Sequence, residues 1–177
     1  MYIDTTQMTG LQAASMLVAL IAAVWDLKTR RIPNVLTFGA AAAAIVAHGF
    51  VGGLSGAGWA LSGWFVGVAF FFPMFALGGM GAGDVKLLAA LGAWLGPGPI
   101  VWVALFSLIA GGVIGVAVAV GYGYLPQAMA NIMWMFQYWR AEGPKPVPEV
   151  TLATHKGPRL AYAIPMLAGL MVALWFQ

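Results

Sequence analysis

The chain has no cysteine. That excludes disulfides, thiolate metal sites, iron–sulfur clusters and a cysteine nucleophile. Charge is almost as scarce: of 177 residues, eight are Lys or Arg and five are Asp or Glu. A soluble domain carries about 25% charged residues, so this chain lacks the means to cover a water-facing globule. Disorder is excluded as well, because it requires few apolar residues and here 62% are hydrophobic, with a mean hydropathy of +0.91.

A bilayer-spanning helix needs about 20 mostly apolar residues. Six segments qualify or come near: Thr6–Trp25, Val35–Val51, Ala57–Leu77, the short Val85–Leu95, Ile100–Val120 and Leu160–Phe176. Glycine- and proline-rich stretches at Gly52–Gly56, Gly78–Gly83 and Gly96–Pro99 separate the middle ones, as such residues punctuate helices. No internal repeat is visible. The expected fold is therefore an all-α, polytopic membrane protein forming a single domain over residues 1–177. The first segment does not read as a cleavable signal, which carries positive charge ahead of its apolar run; here Asp4 precedes it, and Lys28, Arg30 and Arg31 follow.

Lys and Arg collect in cytoplasmic loops. With the N-terminus outside and six alternating helices, the inner segments are Asp26–Asn34, Gly78–Lys86 and Gly121–Arg159. They hold all eight basic residues. The pI near 9.5 then reflects attraction to anionic inner-leaflet lipid rather than to nucleic acid. Within the longest inner segment, Leu125, Met129, Ile132, Met133 and Phe136 recur at helical spacing. This predicts an amphipathic helix near residues 125–139, either lying on the inner surface or extending the fifth helix. A Pro-rich cytoplasmic linker over residues 140–159 follows it.

Two acids stand apart from the terminus and the polar loop: Asp26 at the end of the first segment and Asp84 at the start of the fourth. The topology brings both to the cytoplasmic side. A pair of facing carboxylates suits aspartyl hydrolysis. One is ionised and activates water, and the other holds a proton for the leaving amine, because close like charges resist joint ionisation. The shortness of Val85–Leu95 also implies a water-accessible pocket beside Asp84. Taken singly, Asp84 reads equally as a helix cap, and Asp26 as an interfacial acid paired with Lys28 or Arg30.

Two motifs surround these acids. The first is Asp26-Leu27-Lys28-Thr29-Arg30-Arg31-Ile32-Pro33-Asn34, and the second is Gly81-Ala82-Gly83-Asp84-Val85-Lys86-Leu87. Together they resemble the type IV prepilin leader peptidases, whose signatures are an Asp followed by Ile-Pro-Asn and a Gly-x-Gly-Asp-x-Lys. The resemblance implies a multi-pass protein of the bacterial inner membrane with its active site facing the cytoplasm. It implies Asp26 and Asp84 as the catalytic pair, with no cofactor. The partner it implies is a prepilin with a hydrophobic N-terminal helix, cleaved at its leader. With 25 residues ahead of Asp26 and no cysteine, the chain is similar to the short, peptidase-only form associated with tight-adherence (Flp) pili.

The neighbouring residues have structural readings first. Pro33 suits the first turn of a helix, and Asn34 caps it or bonds a loop. Lys86, Arg30 and Arg31 read as inner-face anchors, with Lys86 also placed to act on Asp84. Gly81 and Gly83 admit a substrate strand close to the backbone, and Ile32 completes the candidate binding group. His48 and His155 have no second ligand at metal spacing, so no metal is expected. Two other readings remain at this point. One is a presenilin-like intramembrane aspartyl protease, which shares Gly-x-Gly-Asp. The other is a non-catalytic pilus-assembly or transport protein.

Overall fold

The structure, a computed structural model, describes residues 5–147 and 160–176. Among these, every regular element is an α-helix: α1 (Thr5–Thr29), α2 (Asn34–Ala76), α3 (Ala82–Leu95), α4 (Pro97–Gly121), α5 (Leu125–Glu142) and α6 (Ala163–Trp175). The expectations for residues 148–159, His155 among them, lie outside the described residues. Three helices are long and apolar enough to cross a membrane, within Gly10–Thr29, Asn34–Ala76 and Pro97–Gly121, and α6 is a shorter apolar helix. Their outer faces carry large apolar side chains in the open, such as Val35, Phe50, Leu54 and Trp175. That is costly in water and ordinary in lipid.

α2 is two arms rather than one rod. Gly53 has φ +60° and ψ −147°, a backbone conformation that essentially only glycine adopts. Beyond it the chain doubles back, so a Cβ on Gly56 would strike the carbonyl of His48. In a straight helix those two residues would stand about 12 Å apart. The arms, residues 34–52 and 54–76, correspond to the second and third segments expected from sequence. His48 is buried, and its Nε2 donates to the Trp94 carbonyl at 3.1 Å, tying the first arm to the end of α3.

α3 is the inner helix. Every residue from Leu87 to Ala93 is buried, and α1, both arms of α2 and α4 lie around it. Small residues set these distances. Gly63 and Gly92 face each other backbone to backbone, so a Cβ on either would land on the other's carbonyl. A Cβ on Gly67 would lie 2.8 Å from the Ala89 Cα. On the α1 side, Ala19, Ala22 and Ala23 are buried in the same core as Leu88 and Met166. Between helices in lipid such close approach matters more than apolar burial, because lipid is as apolar as the protein interior.

The ends of α3 are sharply cut. Gly96, at φ +83°, caps its C-terminus and Pro97 opens α4. At the other end, the irregular segment 77–81 separates it from α2. Gly123, at φ +65°, breaks the chain between α4 and α5. α5 is thus a separate helix rather than an extension of α4. It buries none of its residues and, among the described residues, meets the bundle through α4. α6 packs into α4 and α1, with Gly169 seated against the Ser107 backbone.

Candidate active site

The end of α1 supplies the first acid. Arg30 follows the helix in the left-handed conformation, φ +54°, and its N–H donates to the Asp26 carbonyl at 2.8 Å. This ends α1 one turn past Asp26 and bends the chain toward Pro33. Asp26 itself is buried, 6% exposed, and needs a partner at that depth. It has one: its Oδ2 accepts the Ala163 N–H, in the first turn of α6, at 3.3 Å. A helix N-terminus presents unsatisfied N–H groups and the positive end of the helix dipole, both of which favour a carboxylate.

The start of α3 supplies the second acid. Asp84 stands in the first turn, two residues inside the helix, rather than at the cap position. Its Oδ2 accepts the Gly81 N–H at 3.2 Å, holding the turn that precedes the helix. A side chain on Gly81 would press on that carboxylate, and one on Gly83 would come into ordinary contact with Ile32. Gly81 thus shapes the site through a contact within the protein. Asp84 precedes the apolar run 85–95 and lies outside the long apolar helices. Burial and the Asp26 charge push its pKa up to about 7, against the pull of the Gly81 N–H.

Asp26 and Asp84 line one cavity of about 410 Å³, open on one side. Of the other residues expected from sequence, Ile32, Asn34, Gly81, Gly83 and Lys86 share that lining, as do Arg30 and Arg31. Pro33 does not. It is the residue just ahead of α2, in extended conformation, and it lines a separate apolar groove between α1 and the first arm of α2. Lys86 is more than an anchor: its Nζ donates to Asn34 Oδ1 at 2.9 Å and lies over the Phe38 ring. The two motifs are thereby joined side chain to side chain. Among the described residues no three His, Asp or Glu stand together as a metal site would require.

A third stretch of chain enters the cavity. Leu160 and Tyr162 line it. Tyr162 packs edge-on against Phe71, and its hydroxyl lies 3.3 Å from the Ser107 carbonyl.

The model of the type IV leader peptidase family matches residues 13–116, a stretch that holds both aspartates, both motifs and the whole of α3. The chain belongs to the type IV leader peptidase family. Comparisons with curated proteins and with solved structures give no match. In this peptidase the residues that sequence reasoning missed are Tyr162 and the Ala163 N–H. Both lie past the matched stretch, and a backbone donor has no signature in a sequence. The nearest signal is the proline at 165, which suits the first turn of a helix and marks where α6 begins.

Proposed function

We propose that this peptidase is an aspartic endopeptidase that removes the leader from prepilins at the cytoplasmic face of the bacterial inner membrane, with Asp26 and Asp84 as its acid–base pair. One observation carries the reading: two carboxylates from distant parts of the chain line a single open cavity, each tied through one oxygen to a backbone N–H at a helix start. Asp84 keeps its proton near neutrality, because burial and the Asp26 charge disfavour its ionised form. It is the acid in this scheme, and ionised Asp26 is the base. Asp26 takes a proton from water as the water oxygen bonds to the scissile carbonyl carbon. Asp84 then protonates the leaving nitrogen as the carbon–nitrogen bond breaks.

The surroundings support the same assignment. In the topology proposed here the two arms of α2 cross separately, α3 and α6 also cross, and the N-terminus lies outside. Arg30, Arg31 and Lys86 line the cavity with the two acids. The apolar groove of about 550 Å³ between α1 and α2 abuts it: Trp25 and Pro33 line the groove, while their neighbours Asp26, Ile32 and Asn34 line the cavity. An apolar helix resting there would deliver its end to the acids. The substrate class is thus a chain with a membrane-embedded helix and a polar leader, as in Flp-type prepilins. α5, apolar on one face and touching the bundle through α4 among the described residues, lies on the inner surface in this reading.

Asp26→Asn and Asp84→Asn test the pair. Losing a general acid or base costs about 10²–10⁴-fold in rate, so neither variant leaves mature pilin visible on an immunoblot of cells co-expressing a prepilin. Both remain in the membrane fraction. Full processing by either one overturns the proposal.

A further inference from the structure

The cavity is built from three chain segments, and the third is the stretch that leads into α6. Tyr162 and Ala163 stand where α6 meets α1 and α4. The Ala163 N–H reaches Asp26. Next to it, the Tyr162 ring is wedged between Phe71 of α2 and Gly111 of α4, and a Cβ on Gly111 would lie 2.8 Å from the Tyr162 ring. The hydroxyl reaches the Ser107 carbonyl, one helical turn before Gly111. Gly169, further along α6, seats against Ser107 itself. The start of α6 is thereby registered against α4 at several contacts, and its first free N–H is aimed at one acid of the pair.

We propose that Tyr162 is a positioning residue for the hydrolysis: locked against Phe71 and Gly111, it sets the first turn of α6 so that the Ala163 N–H orients the Asp26 carboxylate. The proposal rests on the aspartyl reading above and extends it to a residue outside both motifs. Asp26 is buried at the end of α1, and its carboxylate can rotate about the bonds of its own side chain. The Ala163 N–H restrains that rotation by holding Oδ2. Misplacing a reacting group by about 1 Å can cost on the order of 10²-fold in rate while leaving binding intact. The hydroxyl matters less than the ring, since the Ser107 carbonyl lies within α4, whose own ladder supplies a donor.

The test uses the full-length chain purified in detergent and a prepilin that the wild-type chain cleaves. Tyr162→Ala is expected to lower kcat at least about tenfold with KM changed less than about twofold, whereas Tyr162→Phe keeps at least half of the wild-type kcat. Gly111→Val, which drives a side chain into the same ring, is expected to lower kcat comparably. In the Tyr162→Ala background the Gly111 change should add little, because the ring it displaces is gone. Wild-type kcat in Tyr162→Ala, an equal loss in Tyr162→Phe, or full additivity with Gly111→Val would each overturn the proposal. If Tyr162→Ala is lost from the detergent extract, Tyr162→Phe and Tyr162→Leu carry the comparison, and loss of kcat in Leu but not in Phe is the supporting result. Asp26→Asn and Asp84→Asn are assayed in parallel. If they are inactive while Tyr162→Ala cleaves normally, the positioning role alone fails. If they are active, the aspartyl reading fails first.

Discussion

Asp84 sits where its proton is kept by its surroundings. Because its pKa is raised to about 7, the protonated form dominates below that value and is lost as pH rises through it. A reaction that needs this proton should slow accordingly: cleavage at pH 8 is expected at about one tenth of the rate at pH 6, the proton being the acid's contribution. Rates from purified peptidase across that range check it, and a flat profile contradicts the assignment of Asp84 as acid. Lys86 offers a second measurement at this scale. Its bond to Asn34 is partly solvent-exposed, so the coupling between Lys86→Met and Asn34→Ala in a thermal double-mutant cycle is expected at about 0.5–1 kcal/mol. Both aspartates were legible in the sequence, because an acid near an apolar segment is rare and conspicuous. The donors that hold them were not. Gly81 and Ala163 act through backbone N–H groups, which every residue but proline possesses.

The helices themselves divide along the same line. Their existence follows from apolar length and from glycine and proline punctuation, and the expected segments recur in α1, the arms of α2, α3, α4 and α6. Which glycines serve as turns, which as contacts and which as neither depends on partners far away in the chain. Three substitutions separate these cases. Gly53→Ala meets no neighbouring atom, yet Gly53 holds φ +60°, so its cost is purely backbone strain, about 1–3 kcal/mol. Gly58→Ala also meets nothing and stands within a regular helix; it should be neutral or stabilising by about 0.5–1 kcal/mol. Gly92→Ala drives a Cβ into the Gly63 carbonyl and forces α2 and α3 apart, so it should cost the most of the three. Unfolding midpoints in one detergent rank them. If Gly53→Ala melts with or above Gly58→Ala, the reversal of α2 is not held by that conformation.

For the molecule as a whole, the arrangement of charge argues for a definite orientation, and the lack of cysteine makes it directly measurable. Leu54, at the reversal of α2, is 94% exposed, and Lys145 follows α5. In intact spheroplasts a membrane-impermeant maleimide is expected to label Leu54→Cys, and Lys145→Cys only after permeabilisation. The opposite pattern would place the cavity of Asp26 and Asp84 on the wrong side for the proposed cleavage of a leader that has not crossed the membrane. The all-helical, membrane-suited character could be read from the sequence because lipid demands long apolar runs, and three helices are long and apolar enough to cross. The central place of α3 could not, since its composition differs little from that of its neighbours and its burial depends on glycines of α2.

The chain order of the three segments has a consequence for biogenesis. A ribosome delivers α1, then α3, then α6. A nascent polypeptide halted before residue 160 would already contain both acids, but Asp26 would lack the donor it meets at Ala163. On the proposed reading competence arrives with α6, so a product truncated ahead of it is expected to insert as a latent protein, without proteolysis.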